Sequence, residues 1–186
     1  MRNDKIQTIA YMGLYAALFV VLWYVGQFIP FLKMPDGGSI ELEFAALFVA
    51  SFHLGWKKGL VVALISWLLE FMFGGANYFL SPMQYFLDYL CAFAAVALAS
   101  LFAGHSKFNY YIGMVVSMLL KWLSNVLSGV YFYFPEGSAA GSKAAWVNSV
   151  AYNTWYNLAT LIVCLILVPV LVKNLKKAKH SVKFAS

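Results

Sequence analysis

The sequence predicts an all-α integral membrane protein, a single domain of six transmembrane helices with both termini in the cytoplasm. Two observations on composition lead to this class. The 186 residues are 63% hydrophobic and only 11% charged, whereas soluble domains are about 45–50% apolar and about 25% charged. The apolar residues also form long runs, and the basic residues stand mainly at the ends of those runs. These features exclude a soluble enzyme, a disordered chain and a nucleic-acid-binding module.

A membrane-spanning helix needs about 20 mostly apolar residues, and six apolar runs are candidates. We predict helices at about 8–29, 42–54, 60–73, 82–103, 110–132 and 145–172, followed by a basic cytoplasmic tail at 173–186. Pro30 ends the first helix, and a polar stretch at 31–39 follows it. Pro82 suits the first turn of the fourth. Turn sequences separate the others, at 55–59 (GWKKG), 74–77 (GGAN), 104–107 (GHSK) and 135–142 (PEGSAAGS).

The second and third predicted helices are short for a bilayer. We expect them to be tilted or partly buried behind their neighbours, with a re-entrant pair at 42–73 as the alternative. Charge favours six spans, because a cytoplasmic N-terminus puts ten basic residues inside and only Lys33 and Lys143 outside. This positive-inside bias requires an even number of spans. The N-terminal run is too long for a signal peptide and is interpreted as a retained helix.

Ionisable and amide side chains within the predicted spans are few, and such residues are functional candidates because they are costly in a membrane. All except Lys121 fall in the outer half of the membrane or at its outer edge, which predicts a polar pocket open to the outside. A structural ion pair between Asp88 and Lys121 is the alternative for those two residues. The candidates are Glu41, Glu43, Glu70, Asp88, Lys121, Asn125, Asn148, Asn153 and Asn157.

Aromatic residues collect on the same side of the chain, among them Tyr78, Tyr89 and Tyr133. One interpretation is an interfacial aromatic belt. The other is a stacking site for a flat ring, with carboxylates nearby for a cation. The two interpretations are compatible on different faces.

Several motifs typical of enzymes and nucleotide-binding proteins are missing from the sequence. It has no glycine-rich phosphate loop, and it has no visible nucleophile–base pair. Cys91 and Cys164 lie in apolar runs and indicate neither a disulfide framework nor a metal site. We therefore predict no enzyme activity, no cofactor and no metal. Gly13 and Ala17 form a small-residue pair on the first helix, which predicts either close approach of a partner helix or internal packing.

Several segments together resemble a known family. They are 32–43 (LKMPDGGSIELE), 55–59 (GWKKG), 74–88 (GGANYFLSPMQYFLD) with Tyr89, 119–122 (LLKW), 128–130 (SGV) and Tyr152-Asn153. In this order they are similar to the thiamine-specific substrate-binding components of energy-coupling factor (ECF) vitamin transporters of prokaryotic cell membranes. The resemblance implies six helices and a thiamine pocket near the outer surface. It also implies delivery through a transmembrane coupling subunit driven by two ATPase subunits, docked at Gly13 and Ala17.

The resemblance also implies the lining of the pocket. The family's second-helix glutamate falls on Glu43 in the better register, with Glu41 as the alternative. Further pocket positions fall on Tyr78, Asp88, Tyr89, Lys121 and Asn153.

The sequence departs from the family at four places. Asn125 stands where the family has histidine, Tyr133 where it usually has tryptophan and Asn148 where it has tyrosine, and Glu70 is an additional acid. Thiamine is the first choice of ligand, with Asp88 facing its thiazolium cation and Tyr133 stacking. A thiamine pyrimidine precursor or a pyridoxine-like ring is the alternative ligand. A stand-alone small-molecule carrier is the less favoured function.

Overall fold

The computed structural model describes residues 2–34, 38–102 and 107–177. Every regular element within these ranges is helical, in agreement with the predicted all-α class. Apart from the helices there is one isolated antiparallel bridge between Lys33 and Ser39. In chain order the helices are α1 (Arg2–Gln27), a 3₁₀ turn (Pro30–Leu32), α2 (Phe44–Leu54), α3 (Trp56–Met72), α4 (Pro82–Tyr85), a π-helical segment (Phe86–Cys91), α5 (Ala92–Ala97), α6 (Ala99–Phe102), α7 (Lys107–Phe132) and α8 (Lys143–Lys177).

Three of the described helices are long and apolar enough to cross a bilayer, at Asp4–Gln27, Asn109–Phe132 and Lys143–Leu175. The other apolar helices are shorter. α2 has 11 residues, which is about 16 Å at 1.5 Å per residue, against a hydrocarbon core of about 30 Å. The presence of six complete spans and the cytoplasmic location of the termini stay predictions.

α2 forms the centre of the bundle. Its residues from Phe44 to His53 are all buried, as expected of a helix that is apolar on every side. It packs against α1, α3, α5 and α8, and Phe19 of α1 and Phe93 of α5 both contact the Phe44 ring. The short predicted helix at 42–54 is thus buried behind its neighbours.

The outer surface of the bundle is apolar. On α8, Ile162, Ile166 and Val170 are 51%, 63% and 53% exposed. Their four-residue spacing places them on one face of the helix. A soluble protein rarely exposes such a continuous apolar stripe, so this face fits contact with lipid.

The helix boundaries differ from the predicted ones at several places. α1 begins at Arg2 rather than at about residue 8, and α8 continues to Lys177, into the predicted tail. α3 begins at Trp56, inside the predicted turn at 55–59, because Gly55 alone makes the reversal with φ +82°. The helix predicted at 82–103 is divided into α4, the π-helical segment, α5 and α6. The predicted turn at 104–107 lies almost wholly outside the described residues, as does the tail beyond residue 177.

α7 and α8 approach closely at Gly129. A Cβ atom at this position would collide with Oγ of Ser149 and lie 3.2 Å from Nδ2 of Asn153. Only glycine therefore fits at this crossing. The close approach brings the polar side chains of α7 against those of α8.

Candidate functional site

Lys121 on α7 lies among several buried polar side chains in the described part of the bundle. Its side chain is almost fully buried. Its Nζ lies 2.7 Å from Oε2 of Glu41 and donates to Oδ1 of Asn157 at 2.8 Å and to Oδ1 of Asn125 at 3.1 Å. A buried ammonium is costly unless it is paired and hydrogen-bonded, and these contacts supply both. We call Glu41, Lys121, Asn125 and Asn157 the lysine cluster.

Two aromatic rings border the lysine cluster. Nζ of Lys121 lies 5.2 Å from the ring centroids of both Phe44 and Tyr156. This distance is within the range of a cation–π interaction. The ammonium thus has both polar groups and aromatic rings around it.

Glu41 reaches Lys121 from the linker that precedes α2. Its backbone N–H donates to Oγ1 of Thr160 on α8 at 3.0 Å, which fixes the linker against the bundle. Burial raises the pKa of the Glu41 carboxyl, and the Lys121 ammonium opposes part of that rise. The ion pair of Lys121 in the described structure is with Glu41, and not with Asp88, the partner in the alternative predicted from the sequence.

Glu43, the preferred position from the sequence, is not the carboxylate that pairs with Lys121, although it interacts electrostatically with both Glu41 and Lys121. It is the residue that precedes α2, and it is buried beside a small cavity that Trp23 and Ser39 also line. The structure thus brings Glu41 to the lysine cluster and leaves Glu43 near the end of α1.

α8 contributes a ladder of amides to the site. Nδ2 of Asn157 donates to the carbonyl of Asn153 at 2.9 Å, and Nδ2 of Asn153 donates to the carbonyl of Ser149 at 2.9 Å. The Tyr156 hydroxyl donates to Oδ1 of Asn153 at 2.7 Å. Because each buried amide has partners, the side chains are held in fixed orientations.

A second group lies around Asp88, which stands in the π-helical segment. Oδ2 of Asp88 accepts a hydrogen bond from Nε2 of Gln84 at 2.7 Å. The rings of Tyr78 and Tyr133 lie 5.9 Å apart and 32° from parallel, and the Tyr133 hydroxyl interacts electrostatically with Asp88. We call Tyr78, Gln84, Asp88 and Tyr133 the aspartate cluster.

Asn125 joins the two clusters. Its Oδ1 accepts from Lys121, and its Nδ2 points to the backbone carbonyl of Asp88 at 3.5 Å. Tyr89 lies beside the aspartate cluster, with its ring 4.6 Å from that of Tyr85. The predicted residues Tyr78, Asp88, Tyr89, Lys121, Asn125, Tyr133 and Asn153 thus fall in one connected region.

Besides Glu43, two further predicted residues are not hydrogen-bonded into this region, although Glu70 interacts electrostatically with Glu41 and Lys121. Asn148 is exposed on α8. Glu70 lies near the end of α3, where its side chain packs beside Gly75 and Trp23. Neither makes a hydrogen bond to the lysine or aspartate cluster among the contacts of the described residues.

Two residues of the site were not predicted from the sequence as binding residues, Gln84 and Asn157. Each stands four residues from a predicted site residue on the same predicted helix, Gln84 before Asp88 and Asn157 after Asn153. Residues four apart share a helix face, so this spacing was the available signal.

The predicted docking pair on α1 is exposed. Gly13 and Ala17 face outward, whereas the neighbouring Ala16 is buried. A Cβ atom at Gly13 would meet nothing within 4 Å. The pair is therefore not used for packing within the described part of this chain.

Comparison with known proteins gives three similarities. The family model described as thiamine transporter protein (Thia_YuaJ) matches residues 9–180. The curated thiamine transporter ThiT of Bacillus subtilis (strain 168) is 33% identical over 150 residues, 73% of this chain and 76% of the relative. A solved structure of ThiT from Listeria monocytogenes has a TM-score of 0.76 at 21% identity, covering 94% of this chain and 97% of that chain. These relatives are named as transporters and not as enzymes.

Proposed function

Because this chain belongs to the thiamine transporter protein family, a family of membrane proteins, we propose that it binds thiamine as the substrate-binding subunit of an importer. Membership confirms the resemblance seen in the sequence, and the expectation of a non-enzyme agrees with the relatives' names. The single observation that supports the proposed site is the connected polar region around Asp88 and Lys121. Its aspartate cluster is suited to a cationic ring, and its lysine cluster is suited to a ring with hydrogen-bonding nitrogens, which are the two halves of thiamine.

The aspartate cluster suits the cationic half of thiamine. The thiazolium ring is flat and positively charged, and aromatic faces and carboxylates both attract such a group. Asp88 would supply the charge, while Tyr78, Tyr89 and Tyr133 would supply ring contacts. Two carbon surfaces stack at about 3.5 Å, so a ring between Tyr78 and Tyr133 needs them about 7 Å apart. Their present 5.9 Å means that the Tyr78 loop would open by about 1 Å.

The lysine cluster and the amides of α8 suit the aminopyrimidine half. Its ring nitrogens accept hydrogen bonds and its amino group donates them. Asn125 and Asn153 would orient these groups, and Glu41 rather than Glu43 is the carboxylate at this position. Asn148 and Glu70 would act at the rim or not at all.

We further propose the topology and partners that the family resemblance implies. The N-terminus would be cytoplasmic, which puts the polar region toward the outside, as the distribution of basic residues favours. The exposed Gly13 and Ala17 would dock on a transmembrane coupling subunit that is driven by two ATPase subunits. This chain itself would hold no cofactor and no metal.

The binding proposal is tested with purified protein in detergent by quenching of tryptophan fluorescence. Thiamine, the thiamine pyrimidine and pyridoxine are titrated in parallel. We expect saturable quenching that is tightest with thiamine, because only thiamine engages both clusters. Tighter binding of pyridoxine or of the pyrimidine would change the ligand and would make Asn125, which departs from the family's histidine, the first residue to replace in a test of specificity. No response to any of the three would contradict the proposed function.

If Gly13 and Ala17 dock on the coupling subunit, replacing them should impair assembly without changing thiamine binding. Replacing both Gly13 and Ala17 with leucine should abolish co-purification with the coupling subunit, because bulky side chains prevent close helix approach. Thiamine affinity should stay within about twofold, since both residues face away from the described core. Ala151→Leu, an exposed small-to-large change on α8, is the matched control and should retain assembly. Normal assembly of the Gly13/Ala17 double variant would show that the partner binds elsewhere.

A further inference from the structure

Gln84 connects the loop that carries Tyr78 to the carboxylate of Asp88. The side chain is 0% exposed. Its Oε1 accepts from the backbone N–H of Leu80 at 2.9 Å. Its Nε2 donates to Oδ2 of Asp88 at 2.7 Å and is 3.4 Å from the carbonyl of Tyr78. The buried Gln84 amide thus contacts the loop through both its oxygen and its nitrogen, and it contacts Asp88 through its nitrogen.

The orientation of this amide is determined by its partners. The reverse orientation would turn the amide NH₂ toward the Leu80 N–H and the amide oxygen toward the Asp88 carboxylate. A donor would then face a donor at Leu80, and an acceptor would face an acceptor at Asp88. Amide orientation is assigned from such networks. Nε2 is therefore directed at Asp88, and the carboxylate has a donor that holds it in place.

Gln84 also lies in the first turn of α4, where it helps to cap the helix. This structural role must be distinguished from a role at Asp88. Ser81 precedes α4, and its Oγ accepts from the backbone N–H of Gln84 at 3.1 Å. Serine followed three residues later by glutamine is a capping-box sequence. Here the glutamine oxygen accepts from the N–H of Leu80, one residue before the cap. The donation from Nε2 to Asp88 is not part of this capping role.

We propose that Gln84 is a positioning residue that orients Asp88 for the ligand cation and couples this acid to the Tyr78 loop. The assignment rests on the proposed function, since it needs thiamine to bind at Asp88. Gln84 does not touch the ligand itself. It acts through Asp88 and through the backbone of residues 78–80.

Gln84→Met tests the assignment, because it keeps the approximate volume of the side chain, removes both donations and adds no charge beside Asp88. Glutamate is not suitable, because a second carboxyl group at this distance from Asp88 would share a proton with it. We expect thiamine affinity to fall by about tenfold or more, the range for losing a hydrogen bond to a charged group. Affinity for the thiamine pyrimidine, which lacks the cation, should change by less than about threefold. In an Asp88→Asn background, Gln84→Met should cost thiamine binding no more than about twofold further, because the oriented charge is already gone. Gln7→Met, at an exposed position on α1, is the matched control.

Three results would overturn the assignment. The first is unchanged thiamine affinity in Gln84→Met, and the second is equal losses for thiamine and the pyrimidine. The third is a double variant whose loss of affinity equals the product of the two single losses. Thermal unfolding of each variant in detergent shows whether it is folded, and Gln84→Asn, whose shorter side chain cannot reach both Leu80 and Asp88, replaces Gln84→Met if the latter is not. Wild-type protein that binds neither ligand overturns the proposed function as well. Wild-type binding with an unaffected Gln84→Met overturns the assignment of Gln84 alone.

Discussion

Replacing Lys121 with methionine should destabilise the protein by about 3–5 kcal/mol, the cost of breaking a buried ion pair by removing one partner. Methionine fills a similar volume but has no charge. Glu41 would lose the ammonium 2.7 Å away, and Asn157 and Asn125 would each lose a donor. Thermal unfolding in detergent measures the effect, and Lys57→Met, at an exposed lysine, is the matched control.

The double variant Lys121→Met/Glu41→Gln separates the ion pair from other roles of the lysine. Removing both charges leaves no uncompensated carboxylate. Replacing both members of a buried ion pair with uncharged residues often changes stability little. We expect it to recover more than half of the stability that the single variant loses. Two results would show that the pair is not the main stabilising element of this region. One is unchanged stability of Lys121→Met, and the other is a double variant whose loss of stability equals the sum of the two single losses.

Asp88→Ala should weaken thiamine binding by well over tenfold, which is more than about 1.4 kcal/mol of binding free energy. The carboxylate is the charged acceptor of the aspartate cluster, and a thiazolium cation would lose its nearest counter-charge. The residue is only partly buried in a segment that contains no buried residue. The unfolding temperature should therefore change little.

Isothermal titration calorimetry with thiamine measures the Asp88→Ala effect. Glu136→Ala, at an exposed acid in the loop between α7 and α8, is the matched control and should bind normally. Asp88→Asn separates charge from shape, since it keeps an oxygen that accepts from Gln84. Wild-type affinity in Asp88→Ala would remove Asp88 from the binding site, and loss of folding would make Asp88→Asn the deciding variant.

The order and approximate extent of the helical segments could be read from the sequence because apolar runs and their glycine and proline breaks are local signals. Lys121 with Asn125 was equally accessible, since a four-residue spacing on a helix puts two side chains on one face. Asn148 could have been separated from Asn153 in the same way. A helix advances about 100° per residue, so five residues put these two amides about 140° apart, whereas Asn153 and Asn157 are about 40° apart.

Other parts of the site depend on tertiary geometry that no local pattern records. The choice between Glu41 and Glu43 is made by the path of a linker without regular structure, which the Glu41 N–H bond to Thr160 fixes. The π-helical segment changes the direction of Asp88 relative to an α-helix, and such segments are frequent at functional sites. Burial of Gln84 results from the loop at 76–81 folding over it. These features need the packed bundle.

A structure of the purified protein with thiamine bound is the most direct measurement of the central claim, that thiamine lies across the aspartate and lysine clusters. We expect the thiazolium ring beside Asp88 and Tyr133, with Tyr78 moved outward, and the pyrimidine ring next to Asn125 and the Lys121–Glu41 pair. Thiamine bound at a different place, with these side chains in their present positions, would contradict it.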